Sequence, residues 1–341
     1  VKDELGETVE LLASVAKFLR AKRAEAGALS LASPEVKFLM DSETHDPIDV
    51  RAYELRETNR VVEEFMLLAN ISVARRITER FPRCAMLRRH PPPPASNFDP
   101  LLQAAEAAGV SIDISSSRAL ADSLDAADGG SANPHLNKLL RILATRCMLQ
   151  AVYFPSGERP PEDYIHYGLA TPIYTHFTSP IRRYADVVVH RLLAAASSLE
   201  PLPSQYEDKR AMRRIADTLN RRHYNSQMAS RASGAVFTMS FFSSRPTPAQ
   251  ALILRVKKNG VVVLVPKFGI EGPVFFDKER AVAKCTLLPG AQRIKLTLND
   301  AARSEIQLAV FDQVQVLVSV QTVDKARHKD QIVFQIVDPP I

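Results

Sequence analysis

The sequence has few cysteines and no long apolar run, and each shortage excludes a class of protein. Its three cysteines are Cys84, Cys147 and Cys285. They are odd in number and lack paired spacing, which excludes a disulfide framework and a zinc site and is typical of core thiols in a reducing compartment. No run approaches the roughly 18 apolar residues of a membrane span, so we expect no membrane association. No signal-peptide pattern is present, and Val1 suggests an internal start.

Length and composition favour a two-domain protein with an anionic partner. A chain of 341 residues is long enough for two domains. A hydrophobic content of 46% with 24% charged residues supports sizeable cores. The 44 lysines and arginines exceed the 38 acidic residues and give a net charge of +6. This excess favours an anionic partner such as nucleic acid and says nothing about fold.

The segment from Tyr174 to Tyr184 contains the clearest local signal for an anion site. Ser179 is a good helix N-cap and Pro180 suits the first helical position, so we predict a helix from there to about Ala196. The free amides of such a start, together with Arg182 in the first turn, would form a phosphate clamp. The alternative is a capped helix whose arginines are simply solvated.

Two long motifs resemble the RNB domain, the catalytic domain of the RNase II family. The first runs from His166 to Arg191 and contains the Tyr174–Tyr184 segment. The second is the run Val62–Asn70. Residues 27–36, 85–90 and 119–124 most resemble the eukaryotic branch, the catalytic subunit of the RNA exosome. The motifs occur in family order over nearly the whole chain.

The resemblance implies a processive 3′-to-5′ exoribonuclease that hydrolyses single-stranded RNA to nucleoside 5′-monophosphates with Mg²⁺. It also implies exosome core subunits as partners and a location in the nucleus, above all the nucleolus, and the cytoplasm. The family's metal-binding aspartates lie in an Asp-Ile-Asp-Asp type motif, and no such cluster occurs here. Asp41, Glu43 and the acidic residues of 122–128 are not that motif. We therefore expect the second half of the catalytic domain, inactive alone, with the Mg²⁺ ligands in the missing upstream half. The alternative is a non-catalytic RNA-binding or scaffolding protein.

The resemblance also assigns roles to individual residues. Arg182 matches the family's catalytic arginine, and Glu63 matches a glutamate that binds ribose at the RNA 3′ end. The remaining RNA contacts expected in this part of the chain are Asn70, Tyr174, His176, Ser179 and Arg183. Arg183 points about 100° away from Arg182 on the predicted helix, so we expect it to tolerate lysine.

Periodicity predicts a mainly helical first part. Its helices are expected at residues 8–26, 57–80, 99–109, 115–127, 133–154 and 207–232, with residues 28–56 extended and irregular. On the helix 57–80, Glu63 and Asn70 share one face, whereas Glu64 is expected to pair with Arg60 on the surface. The alternative for Glu63 is a salt bridge. The arginine-rich face of helix 207–232 is solvated, lines a nucleic-acid channel or pairs with acidic surface, and the sequence leaves these alternatives open.

After Gly234 the pattern changes to strands. Asn259-Gly260 between two apolar alternations predicts a β-hairpin. About five strands fit an OB fold over residues 236–341, following an RNB part over residues 1–235, so the fold class is α+β. The candidate RNA contacts here are Lys257, Lys258, Lys267 and Phe268, since basic groups follow phosphates and an aromatic face stacks on bases. Solvated lysines are the alternative. Phe275 and Phe276 cannot both face the core.

Overall fold

Helices make up most of the first part of the chain and strands most of the last part, so the α+β class is confirmed. The computed structural model describes residues 3–32, 36–44, 47–52, 56–127, 133–243, 245–276, 282–288, 292–299, 305–324 and 329–339. Its helices are α1 (Glu4–Glu25), α2 (Glu57–Arg80), α3 (Asp99–Ala107), α4 (Ser117–Ala126), α5 (Leu136–Cys147), α6 (Tyr184–Ala196) and α7 (Lys209–Ser243). Asp128 lies outside the described residues.

The first two helices are joined by an ion pair that the sequence did not indicate. Glu64 is only 4% exposed, and its Oε1 lies 2.5 Å from Nη2 of Arg23 on α1. The predicted surface pair between Glu64 and Arg60 is therefore wrong. Arg60 instead lies 3.7 Å from Glu57, one turn earlier on α2. Glu64 turns inward because α1 packs on this face of α2.

Two short sheets interrupt the helical part where the sequence predicted other structure. Strands β1 (Val36–Met40) and β2 (Pro47–Ala52) pair within the segment expected to be irregular. The helix expected to run to residue 154 ends at Cys147, and Val152–Pro155 forms strand β4. This strand pairs with β3 (Met86–Arg89), where Arg88 lies opposite Tyr153. For β3 and β4, pairing with a strand far away in the sequence decides the conformation, and local periodicity does not indicate it.

The last part is a β domain with more strands than expected. Its strands are β5 (Thr247–Lys257), β6 (Gly260–Val265), β7 (Ile270–Phe275), β8 (Val282–Leu288), β9 (Arg293–Leu298), β10 (Glu305–Ala309), β11 (Gln313–Asp324) and β12 (Lys329–Asp338). One sheet has the order β12-β11-β5-β6-β7, and a second has the order β10-β9-β8. The hairpin at Asn259-Gly260 is confirmed, with Lys257 opposite Gly260. Strands β8 and β10 are not predicted from the sequence.

The five-stranded sheet curves so that its two edges approach each other. A Cβ added to Gly272 on β7 would lie 2.3 Å from a ring carbon of Phe334 on β12. Phe276 is fully buried whereas Phe275 is 37% exposed, as the alternation of a strand requires. Phe242, near the end of α7, is buried against the interior of this domain and contacts Phe268 with ring centroids 5.0 Å apart.

The helical part and the β domain share packed surface. Leu252, Leu254 and Leu264 of the β domain belong to the same buried cluster as α3, α4 and α5. Arg146 on α5 also forms an ion pair with Glu271 on β7. Helix α7 is longer than the predicted 207–232 and continues across position 235, the boundary expected between the two domains. None of the helices in the described ranges combines the length and apolarity needed to cross a membrane.

Candidate nucleic-acid interface

The loop that carries the first sequence motif is fixed by hydrogen bonds to two separate elements. The carbonyl of Tyr174 accepts from the amide of Arg88 at 2.8 Å, and the hydroxyl of Thr175 donates to the carbonyl of Met86 at 2.7 Å. Both Arg88 and Met86 lie on β3. Farther along the loop, the amide of Phe177 donates to Oδ1 of Asn70 on α2 at 2.8 Å. The path of the loop is therefore set before it reaches the arginines.

The end of the loop differs from the predicted helix start. Helix α6 begins at Tyr184, not at Pro180, and Ser179 is not its N-cap. The backbone amide of Ser179 donates to Oδ1 of Asp186 at 2.7 Å. The amides of Arg182 and Arg183 donate to the carbonyl of Ser179. The amides of Ser179, Arg182 and Arg183 are thus already used within the turn, so these three amides cannot serve the expected clamp.

The two arginines of this turn have opposite environments. Arg183 forms two hydrogen bonds with Asp186, Nε to Oδ2 and Nη2 to Oδ1, each at 2.8 Å. Asp186 is fully buried, so this pair belongs to the fold. The side chain of Arg182 is exposed and makes no hydrogen bond or ion pair with any described residue. Its guanidinium is therefore available to a ligand. Contrary to the expectation from the sequence, lysine should be poorly tolerated at Arg183, because one ammonium cannot replace the two-point contact.

Arg182 and Arg183 line a cavity of about 660 Å³ between the turn and helix α7. Tyr153 and His176 form its inner wall, and α7 supplies the opposite wall. The lining residues from α7 are Thr218, Leu219, Arg222, His223, Ser226, Gln227 and Ser230. No aspartate or glutamate is among the lining residues, so the charge of the cavity wall favours an anion.

His176 lies in the wall of this cavity as a neutral imidazole. Its Nδ1 is 2.6 Å from the hydroxyl of Tyr153. Burial, reinforced by the charges of Arg88 and Arg183, lowers the pKa of His176 to about 2. Arg88 itself stacks over the ring of Tyr153 at 4.7 Å, behind the cavity. Near neutral pH, His176 can therefore exchange hydrogen bonds but supplies no charge.

Several predicted contact residues are buried and support the site without facing it. Asn70 is 2% exposed, and its amide nitrogen donates to the hydroxyl of Tyr174 at 3.0 Å while its oxygen is used by Phe177. Tyr174 is 6% exposed and packs between His166 and His176. Direct contact of Asn70 and Tyr174 with RNA, as expected from the sequence, is contradicted by this burial. Both residues position the loop.

The other predicted contacts are spread over the surface. Glu63 is exposed on α2 and does not line the cavity. Lys257, Lys258 and Lys267 are exposed on the β domain. Phe268 is only 3% exposed and packs against Phe241 and Phe242, so it cannot stack on a base as expected. Phe268 is buried because the end of α7 covers it.

Two residues that hold the site were not predicted from the sequence. The first is Asp186, which lies three residues after Arg183, a spacing that brings helical side chains together and could have indicated the pair. The second residue is Asn220 on α7. Its side chain bonds both backbone groups of Tyr153, accepting from the amide at 2.8 Å and donating to the carbonyl at 2.9 Å. This pair of bonds fixes α7 to β4 beside the cavity.

The cavity does not fit a magnesium ion. Mg²⁺ prefers carboxylate and other oxygen ligands in octahedral geometry. The cavity wall instead carries two arginines from the turn and a third from α7. Across the residues that the structure describes, no group of three histidine, cysteine, aspartate or glutamate side chains is arranged to hold a metal ion.

Comparison with known proteins identifies two sequence families in the chain. The RNB domain family matches residues 1–198, and an S1 domain family matches residues 247–333. The chain is 48% identical over 342 residues to the exosome complex exonuclease RRP44 of Homo sapiens. It is 53% identical over 273 residues to the RRP44 homolog A of Arabidopsis thaliana. The alignments cover 100% and 80% of this chain but only 35% and 29% of these relatives.

Solved structures share the fold at low sequence identity. The apo form of Mycoplasma genitalium RNase R superposes with a TM-score of 0.77 at 20% identity, covering 97% of this chain and 50% of that one. Yeast Ssd1, described as a pseudonuclease, gives a TM-score of 0.76 at 16% identity, covering 96% of this chain and 50% of that one. These likenesses show the fold alone, and the fold occurs in nucleases and in a pseudonuclease.

The Arg183–Asp186 pair gives a stability prediction. Arg183→Ala should lower the free energy of unfolding by about 3 kcal/mol, because it leaves a buried carboxylate without its partner. Arg183→Lys should fall between this variant and the wild type. Arg182→Ala is the matched control and should leave stability nearly unchanged, since its side chain has no partner in the described fold. Urea unfolding of the three variants measures the difference, and equal losses for Arg182→Ala and Arg183→Ala would contradict the assignment.

His176 predicts a pH dependence of stability. In the unfolded chain its imidazole gains a proton below about pH 6.5, whereas the folded form resists protonation until far lower pH. Stability should therefore fall as pH falls below about 6.5, by up to about 1.4 kcal/mol per pH unit for each such histidine. Urea unfolding at several pH values gives the slope of the unfolding free energy against pH. This slope should be smaller for His176→Gln than for the wild type. His135→Gln, at an exposed position, should keep the full slope.

Proposed function

Because the chain belongs to the RNB family, we propose that it is the RNA-binding part of a 3′-to-5′ exoribonuclease in which Arg182 binds the scissile phosphate. One observation carries this proposal. Arg182 lines an anion site free of carboxylates, and its guanidinium has no partner in the described fold. Its neighbour Arg183 is occupied by Asp186 and holds the turn that presents Arg182.

The proposed chemistry is hydrolysis of single-stranded RNA to nucleoside 5′-monophosphates. Arg182 would offset the negative charge that develops on the non-bridging phosphate oxygens. His176 and Tyr153 would present neutral hydrogen-bonding groups beside it, and the turn would hold the guanidinium in place. We infer that the Mg²⁺ of the family reaction is held by residues other than those of this cavity, whose lining does not suit it. The 341 residues alone are therefore expected not to shorten RNA.

Further contacts are proposed away from the cavity. Glu63, exposed on α2, is a candidate for the RNA 3′-terminal ribose, and Ser179 offers a hydroxyl beside Arg182 in the same turn. Lys257, Lys258 and Lys267 would follow the phosphates along the β domain. The names of the relatives as exosome complex exonucleases support exosome core subunits as partners. We further propose a nuclear and cytoplasmic location, as the family resemblance implies. We propose residues 1–235 and 236–341 as the two functional parts, although α7 crosses this division.

A second candidate function is favoured by one comparison. The fold of this chain also occurs in yeast Ssd1, a pseudonuclease. The chain would then belong to a protein that binds or scaffolds RNA without cutting it. The two functions differ in what a complete catalytic domain containing this chain does to RNA.

A chimera tests the proposed function directly. Residues 1–341 would replace the matched segment of the human RRP44 relative, and 5′-labelled single-stranded RNA would be followed in Mg²⁺. We expect shortening from the 3′ end, which the 341-residue chain alone should not produce. In single-turnover assays, Arg182→Lys should be nearly as slow as Arg182→Ala, on the order of 10² to 10³ below wild type, with unchanged RNA affinity.

Arg182→Lys is expected to be slow because of the geometry of the two side chains. Arginine offers a rigid planar fork to two phosphate oxygens, whereas lysine offers one mobile charge. A folded chimera that binds RNA without cutting it would favour the pseudonuclease function. A cutting chimera in which Arg182→Lys keeps near wild-type turnover would show that Arg182 does not act on the scissile phosphate.

The lysines of the β5–β6 turn give a separate prediction about affinity. Replacing Lys257 and Lys258 together by glutamine should weaken binding of single-stranded RNA to the 341-residue chain. It should also reduce the slope of log K against log[salt] by about 0.7 for each phosphate that the variant no longer neutralises. Fluorescence anisotropy over a salt series measures both quantities. The control is Lys284→Gln, which removes an exposed charge from β8. If Lys284→Gln weakens RNA binding as much per removed charge as the double variant, the turn makes no specific contact with RNA.

A further inference from the structure

We propose that Arg222 on helix α7 binds a second phosphate of the RNA strand, across the cavity from Arg182. The proposal rests on the proposed function and extends it by naming a second wall of the site. Arg222 and Arg182 line the same cavity of about 660 Å³ and come from elements that are distant in sequence. A single strand that enters between them would be held by phosphates on two sides.

The position of Arg222 follows from the geometry of α7. Thr218, Arg222, Ser226 and Ser230 recur every four residues, so they lie along one face of the helix. All four line the cavity. Asn220 fixes this part of the helix by its two bonds to the backbone of Tyr153, which is itself a cavity residue. The face that carries Arg222 is therefore held toward the turn that carries Arg182.

Two of the guanidinium groups that line the cavity have no acidic partner in the described part of the chain. Arg183 is paired with Asp186, whereas the side chains of Arg182 and Arg222 make no hydrogen bond or ion pair with any described residue. Burial lowers the pKa of His176 and the pKa of His223, so both imidazoles favour the neutral form. Two unpaired cations that face one cavity repel each other until an anion lies between them. A strand with successive phosphates satisfies both, and one carboxylate does not.

The other arginines of α7 have different surroundings, which makes the assignment specific to Arg222. Arg213 lies 2.7 Å from Glu158 and 3.1 Å from Asp217, so its charge is already paired. Arg221 is exposed like Arg222 but does not line the cavity. The alternatives for this basic helix therefore apply to different residues: Arg213 pairs with acidic side chains, Arg221 is solvated, and Arg222 lines the cavity.

The serine hydroxyls beside Arg222 complete the proposed phosphate site. Ser226 lies one turn after Arg222 on the same face and also lines the cavity. A hydroxyl can donate to a phosphate oxygen that the guanidinium already holds. Such contacts fix the position of the strand without reading its bases, because the phosphate backbone carries no sequence information. Arg222 is thus a positioning residue for the strand.

The first experiment compares adjacent arginines in the 341-residue chain. The probe is a 5′-labelled single-stranded oligouridine, and its affinity is measured by fluorescence anisotropy over a salt series. Arg222→Gln should lower affinity by about tenfold at low salt and reduce the salt slope by about 0.7. Arg222→Lys should keep the slope. Arg221→Gln removes the same charge one residue away and should have a smaller effect. Equal effects of Arg221→Gln and Arg222→Gln would overturn the proposal.

The second experiment locates the phosphate. Oligouridines that each carry one neutral methylphosphonate linkage, at successive positions from the 3′ end, are compared on the wild type and on Arg222→Gln. If Arg222 contacts one phosphate, Arg222→Gln should no longer lower the affinity when that linkage is the neutral one. For oligouridines with the neutral linkage elsewhere, the loss of affinity should persist. The same cost at every linkage would mean diffuse attraction and would also overturn the proposal. The far-ultraviolet circular dichroism and the urea midpoint of Arg222→Gln should match the wild type, since its side chain has no partner in the described fold.

These results are separable from those of the chimera. If the chimera is active but Arg222→Gln and Arg221→Gln weaken RNA binding equally, the proposed function is supported and the role of Arg222 is rejected. Suppose instead that the chimera binds RNA without cutting it, and that the affinity loss of Arg222→Gln maps to one linkage. The hydrolytic function is then rejected, and the second phosphate site is retained.

Discussion

The buried carboxylate of Asp186 is the contact on which the arrangement of the site depends. It accepts one hydrogen bond from the backbone amide of Ser179 and two from the side chain of Arg183, and it is fully buried. A buried charge is tolerated only when it is paired and hydrogen-bonded, and here three bonds meet that requirement. By closing the turn, Asp186 fixes the direction in which the adjacent Arg182 points. Arg183 thus stabilises the fold, and the preceding Arg182 is free for a ligand.

The same constraint explains why the site uses a turn and not the start of a helix. Ser179 and Pro180 favour a helix start, but the amide of Ser179 is taken by Asp186 and α6 begins at Tyr184. The amides of Ser179, Arg182 and Arg183 are therefore engaged within the turn, and arginine side chains from the turn and from α7 line the cavity. Guanidinium groups reach farther than amides, which lets the opposite wall come from a distant helix. Neutral His176, hydrogen-bonded to Tyr153, lines the same cavity without adding charge.

Helix α7 connects the two regions proposed to contact RNA. Its middle lines the cavity through Arg222, and its end inserts Phe242 into the interior of the β domain. Because one continuous helix spans both places, the cavity and the β domain are positioned by a single element. Contacts such as Arg146 with Glu271 add a second connection. A strand that follows the lysines of the β domain would be held by the same frame that presents the arginines.

The sequence by itself determined the features that depend on neighbours along the chain. Helix α2 has the predicted bounds 57–80, the Asn259-Gly260 hairpin is present, and Phe275 and Phe276 lie on opposite sides. Such signals arise from side-chain periodicity and turn conformation, which are local. The family motifs also identified the RNB domain and the arginine that faces the cavity.

Only the tertiary structure decided which polar and aromatic side chains are available. Phe268 and Asn70 have residue types suited to RNA contact, yet Phe242 covers the first and Tyr174 and Phe177 take the amide of the second. Glu64 faces inward because Arg23 lies on a neighbouring helix. Arg222 belongs to the cavity because Asn220 fixes α7 beside Tyr153. In each case the partner is remote in sequence, and burial depends on which remote segments meet.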